Sequence, residues 1–208
     1  MSASKEVPMG FTSETFPAGI HMCYIYNDEV QRRKVISQFL ESGLSNGEKV
    51  SYFMDVMSVD KMNEYLSALG LERLVREQSG RFSVATAMET YCPSGTFIPD
   101  EMLDKLGVFY RQSIDEGYNG ARVSGEMSWA LRGIPGSSRL VEYEARVNDT
   151  LTKYPVNAIC QYNANHFDGA TLFDILSVHP MMIVHGQIVR NPYYVKTDEF
   201  LKRNFTQK

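Results

Sequence analysis

The chain has 208 residues, 43% apolar and 22% charged, which is enough to bury a substantial core in one large domain or two small ones and is ordinary for a globular protein. A formal net charge of −4 and a sequence pI near 5.6 argue against the basic stripe of a nucleic-acid-binding face, and no apolar run approaches the roughly 20 residues of a membrane span. The N-terminus lacks the charged, apolar, small-residue order of a signal peptide, so a cytoplasmic protein is expected; three scattered cysteines, Cys23, Cys92 and Cys160, without CxxC spacing point to buried free thiols rather than disulfides or a zinc site.

Residues 1–18 carry Pro8, Gly10 and Pro17 and no sustained period, which predicts a poorly ordered or edge-lying arm before a single domain over 19–208. His21-Met-Cys-Tyr-Ile-Tyr26 reads as a strand, and Asn27-Asp28 supplies the turn and N-cap of a helix whose stripe is Val35, Ile36, Phe39, Leu40 and Leu44. Lys49-Val-Ser-Tyr-Phe-Met54 reads as the next strand. A Ser58-capped helix follows, with Met62, Tyr65, Leu66 and Leu69 on one face, then a short helical turn over 71–77 and a strand over 81–85. Glu89 to Pro99 reads as the longest irregular stretch of the interior, a length that often carries function.

Pro99, Asp100 and Glu101 suit a helix N-terminus, and Met102, Leu103, Leu106, Phe109, Tyr110 and Ile114 form its stripe. Ala121 to Ser124 is a strand. Gly133-Ile-Pro-Gly-Ser-Ser138 breaks the chain before a helix through Leu140, Tyr143, Val147 and Leu151. A strand over 156–162, a helix over 168–178, a strand over 181–185 turned by His185-Gly186 into a hairpin with 187–190, and a helix from Thr197 complete the pattern. Such alternation without repeats or linkers predicts one α/β domain around a mainly parallel sheet.

Several segments, in order, resemble one known family. They are His21-Met-Cys-Tyr-Ile-Tyr26, Gly43-Leu-Ser-Asn-Gly-Glu-Lys49, Glu89-Thr-Tyr91, Gly120-Ala-Arg-Val-Ser-Gly-Glu-Met-Ser-Trp-Ala-Leu131, Tyr143-Glu-Ala-Arg-Val-Asn148, Ile159-Cys-Gln-Tyr162 and His179-Pro180. Together they resemble the MEDS domain, the methanogen/methylotroph DcmR sensory domain, over nearly the whole chain. The resemblance implies a three-layer αβα fold of RecA/KaiC type, the P-loop NTPase architecture, here lacking the P-loop. A P-loop needs a glycine-rich turn ending in Gly-Lys-Ser/Thr so that backbone N–H groups and the lysine hold phosphate. The corresponding stretch is Tyr26-Asn-Asp-Glu-Val-Gln-Arg-Arg-Lys-Val35, with no glycine and two acids. At the magnesium-organising strand stands Ala121-Arg-Val-Ser-Gly125, with Glu126 one residue later.

The resemblance therefore implies a non-catalytic sensor that detects a small organic compound such as a methylated or hydrocarbon derivative; no cofactor is expected, and the scattered histidines give no expectation of a metal. Its output is expected to pass through a protein partner acting in transcription or as a kinase, without direct binding to nucleic acid or membrane; homo-oligomers are expected only by analogy of fold. The rivals are a residual nucleotide-binding enzyme of ATPase type and a protein-interaction scaffold.

In a parallel sheet the ligand crevice lies beyond the carboxyl ends of the strands. The candidate ligand-binding residues are therefore Tyr26, Asn27, Asp28, Glu126, Trp129, Gln161 and Tyr162, with Glu89 and Tyr91 from the irregular stretch, and a KaiC-like strand order would make the three strand ends neighbours. Tyr26, Trp129 and Tyr162 would form an aromatic wall, although each aromatic alone suits a core position equally. Arg122 lies in an apolar strand and needs a carboxylate, for which Glu126, Glu89 and Glu144 are the candidates, as a structural ion pair or a ligand contact. His21, His166, His179 and His185 lie on different elements without HxxxH spacing. Cys160, His179 and Glu126 could be drawn as nucleophile, base and orienter, and Gly133-Ile-Pro-Gly136 as a lid hinge, but turn chemistry explains the latter as well.

Overall fold

The computed structural model describes residues 6–55, 59–78 and 80–205. The expected cap Ser58 and the Met62 and Tyr65 side chains lie outside the described residues. Nine strands and eight helices follow in chain order among those described: β1 (Glu6–Pro8), β2 (Thr15–Pro17), β3 (His21–Tyr26), α1 (Glu29–Ser45), β4 (Lys49–Met54), α2 (Val59–Ala68), α3 (Glu72–Glu77), β5 (Phe82–Thr86), α4 (Ala87–Tyr91), α5 (Pro99–Asp115), β6 (Ala121–Glu126), α6 (Leu140–Lys153), β7 (Val156–Asn163), α7 (Gly169–Val178), β8 (Met181–Val184), β9 (Gln187–Arg190) and α8 (Thr197–Phe205). Short 3-10 turns occupy Ser128–Arg132 and Ser137–Arg139.

Among the described residues β3 to β9 form a seven-stranded sheet in the order β5-β4-β6-β7-β3-β8-β9, parallel except for the β8–β9 hairpin. His185 and Gly186, with φ of 48° and 74°, make the left-handed pair that a two-residue hairpin of this twist requires. The expected α/β class and parallel sheet are therefore present, and β6, β7 and β3 are neighbours. Each strand alternates between the two faces. Met22, Tyr24, Val50, Tyr52 and Ile159 meet Ile36, Phe39 and Leu40 of α1; Cys23, Ala121, Val123, Ala158, Cys160 and Tyr162 meet the layer of α5, α6 and α7.

Two local expectations are corrected. Of the two readings of the N-terminal arm, the poorly ordered one does not hold from residue 6 on: β1 and β2 pair as a separate two-stranded sheet, Val7 and Met9 are buried, and the Pro8 carbonyl accepts from Arg122 Nη2 at 2.9 Å. The irregular stretch begins later than Glu89, because Thr86 and Glu89 form a reciprocal capping box that starts α4. The Asp28 cap is as expected, accepting from Val30 N and Gln31 N at 2.8 and 3.0 Å.

Candidate functional site

On the face of β6 and β7 toward α1 the side chains are mostly polar, although buried: Arg122, Ser124 and Glu126 from β6, Asn157 and Gln161 from β7. Such groups must be satisfied within the protein. Toward the carboxyl end this is done by one residue of α1. Arg32 continues the helix's inward stripe, three residues before Val35, and is fully buried. Its Nη1 donates to Glu126 Oε1 at 3.1 Å and Gln161 Oε1 at 2.9 Å, its Nη2 to Glu29 Oε2 at 2.8 Å, and its guanidinium lies 5.0 Å from the Tyr26 ring centre. Glu126 also accepts from the Tyr52 hydroxyl and, at 2.9 Å, from the Asp55 amide. Gln161 passes the chain on by donating to Ser124 Oγ at 2.9 Å.

These groups form the floor of a crevice of about 450 Å³ lined by Tyr26, Glu29, Asp55, Glu126, Ser128, Leu131, Arg132, Asn163 and His166. Arg132 and Asp55 pair across it. Burial raises the Asp55 carboxyl from its ordinary range while Arg132 opposes the shift, and burial likewise raises the Tyr26 phenol against the pull of Arg32. Beside it, a smaller, more apolar cleft of about 230 Å³ opens between β3 and β8, whose pairing runs only to Cys23↔Met182; Tyr24, Ile25, Tyr26, Asn27 and Ile183 are among its walls.

Of the ten nominated residues, Tyr26 and Glu126 line the crevice, Gln161 holds its floor, Asn27 reaches the smaller cleft and Asp28 caps α1. The others are elsewhere. Glu89 is exposed in its capping box. Arg122 bonds Glu48 at 2.6 Å through Nε and the Phe39 carbonyl at 2.7 Å through Nη1, so its carboxylate partner is none of the three expected. Trp129, fully buried, stacks on Tyr91 at 5.0 Å and packs against Phe97 at 4.8 Å, so this member of the expected aromatic wall is core, while Tyr26 remains on the crevice. Tyr162 is also buried and donates to Glu144 Oε1 at 2.7 Å. Burial and the Glu144 carboxylate hold its phenol far above the ordinary value.

Glu144 is also where the drawn Cys160–His179–Glu126 set finds its third member: Cys160, His179 and His21 surround Glu144, not Glu126, and all four are buried away from the crevice. That the set is enclosed leaves it without access for a substrate. Arg32, Tyr52, Asp55, Arg132 and His166 are not among the residues the sequence points to. One signal for Arg32 was available: it occupies an inward helical position at i−3 from Val35, where an arginine demands a buried partner.

The family model described as MEthanogen/methylotroph, DcmR Sensory domain matches residues 20–180. The transcriptional repressor DcmR of Methylorubrum extorquens is 26% identical over 161 residues, which are 76% of this chain and 57% of that protein, so the chain spans little more than half of that relative's length. Among solved structures, a KaiC-like protein from Pyrococcus horikoshii OT3 superposes with a TM-score of 0.60 at 14% identity, covering 87% of this chain and 80% of that one. The flagellar accessory protein FlaH of Methanocaldococcus jannaschii does so with a TM-score of 0.54 at 13% identity, covering 88% and 83%. The RecA/KaiC-like architecture expected from the sequence is thus the fold observed.

Proposed function

The chain belongs to the MEDS sensory-domain family, and from that premise we propose that it is the sensing part of a regulator, binding a small organic ligand in the carboxyl-edge crevice without transforming it. The observation that carries this reading is the state of the α1 N-terminus. In a phosphate-binding fold those amides face the ligand, whereas here Asp28 takes the amides of Val30 and Gln31, and Glu29 and Glu126 set further negative charge beside them. A phosphate would meet carboxylates. A neutral molecule with one or two polar atoms would meet Tyr26, Asn163, His166 and Arg132 in a space at the lower end of small-molecule pockets, which run from about 300 Å³ upward. Methylated or hydrocarbon-derived compounds fit that description.

The match to part of a transcriptional repressor supports a transcriptional output, reached through a partner or an attached module. No helix among the described residues is long and apolar enough to cross a membrane. Thermal-shift and calorimetric titration against small methylated and halogenated compounds tests the reading. At least one compound is expected to stabilise the protein, with affinity reduced at least roughly tenfold by Arg132→Ala or His166→Ala, the loss of about one good polar contact. Absence of any stabilising compound, or tight binding of a magnesium–ATP analogue, would overturn it.

A further inference from the structure

Remote from the crevice, between the sheet and the layer of α6 and α7, four side chains from four elements converge. His21 opens β3, Cys160 lies within β7, Glu144 projects from α6 and His179 caps the end of α7; one ligand atom from each lies within 4.8 Å of all the others. Glu144 Oε2 is 3.2 Å from His21 Nε2, 3.5 Å from His179 Nε2 and 3.4 Å from Cys160 Sγ, and Cys160 Sγ is 3.5 Å from His21 Nε2. Ligand bonds of about 2.0–2.3 Å in a tetrahedral zinc site give ligand-to-ligand edges of roughly 3.3–3.8 Å, close to these four separations, and no pair in the set exceeds 4.8 Å.

The outer hydrogen bonds fix where the lone pairs point. Asn148 donates through Nδ2 to the carbonyls of Ala145 and Val178 at 3.0 and 2.8 Å, leaving its Oδ1 to accept from His21 Nδ1 at 3.0 Å. His179 Nδ1 donates to the Ile175 carbonyl at 2.7 Å. In neutral rings both Nε2 atoms therefore direct lone pairs inward, at a carboxylate and a sulfur. His179 Nε2 is buried and, beyond its 3.5 Å approach to Glu144 Oε2, has no hydrogen-bond partner among the described residues. The Cys160 thiol donates its one proton to Glu144 Oε2 at 3.4 Å, so the two imidazole lone pairs still face a carboxylate and a sulfur in a dry site, which is costly unless a cation lies between them. The surroundings are also those of metal ligands: each imidazole is oriented through Nδ1, and the Tyr162 hydroxyl holds the carboxylate oxygen that faces away from the cluster.

We infer that His21 Nε2, Glu144 Oε2, Cys160 Sγ and His179 Nε2 bind one divalent zinc ion in a closed tetrahedral site that fastens α6 and the α7–β8 junction to β3 and β7. On binding, the Cys160 thiol gives its proton to solvent as the sulfur–metal bond forms. Thiolate and carboxylate then carry two negative charges that the ion neutralises, leaving a buried site without net charge. A mixed nitrogen, sulfur and oxygen set selects zinc over calcium or magnesium, which take oxygen ligands. Four protein ligands leave no open position, so the role is structural.

The test is metal analysis of the purified full chain. Wild type loaded with zinc is expected to hold about one equivalent after desalting, and the chelated protein given cobalt(II) is expected to develop thiolate-to-cobalt charge-transfer absorption. Cys160→Ser should abolish that absorption and most of the retained metal, while Cys92→Ser should retain both. Chelation should lower the melting temperature of wild type. Wild type that keeps no zinc and gives no cobalt–thiolate band would overturn the inference, independently of whether Cys160→Ser folds; so would a band that survives Cys160→Ser.

Discussion

Arg32 sets the character of the crevice floor, because it is the cation shared by Glu126, Gln161 and Glu29. A buried carboxylate that loses such a partner keeps its desolvation cost, whereas removing both charges together does not. Arg32→Leu is therefore expected to destabilise the fold by about 3–5 kcal/mol in urea denaturation, and Arg32→Leu combined with Glu126→Leu to recover much of that loss. A double variant no more stable than the single one would show that the ion pair is not the cause. The pairing was legible only by half. The helical stripe placed Arg32 inward, but its partner lies 94 residues away on a strand that becomes its neighbour only through the sheet order.

At the scale of elements, two glycines record how closely helices and strands approach. On α1, a Cβ at Gly43 would stand 2.8 Å from Arg122 Cδ and Nε, because the arginine crosses the helix there to reach Glu48 and the Phe39 carbonyl. On β6, a Cβ at Gly125 would collide with the Tyr91 hydroxyl, which α4 lays over the strand. Gly43→Ala and Gly125→Ala are each expected to cost about 1–3 kcal/mol by overpacking, read as a lowered denaturation midpoint; Tyr91→Phe should relieve the second and leave the first unchanged. If Tyr91→Phe fails to rescue Gly125→Ala, the hydroxyl does not set that approach. The sequence signals for the elements themselves were strong, since helix stripes, caps and strand alternation depend on near neighbours. The capping box at Thr86 and Glu89 is of the same local kind, and it makes Glu89 a cap rather than a ligand contact.

Across the whole molecule, one sheet serves two cores; the buried pair Arg32–Glu126 ties α1 to β6, and Arg122–Glu48 ties β6 to the turn between α1 and β4. Trp129 lies inside the cluster on the far face. Urea unfolding followed by Trp129 emission and by far-ultraviolet circular dichroism is expected to give coincident midpoints, as for one cooperative unit; separated midpoints would mean that the two faces unfold independently. The sequence by itself determined the α/β alternation, the parallel sheet and the capped α1, because each follows from short-range periodicity; the neighbouring ends of β3, β6 and β7 followed only from the strand order that the family resemblance implies. Only the tertiary structure decided that Trp129, Tyr91 and Tyr162 turn inward, that Glu48 is the partner of Arg122, and that His21, Glu144, Cys160 and His179 meet. Those outcomes depend on strand order and on which face each helix covers, and burial then forces every polar group to find its partner at a distance the sequence does not encode.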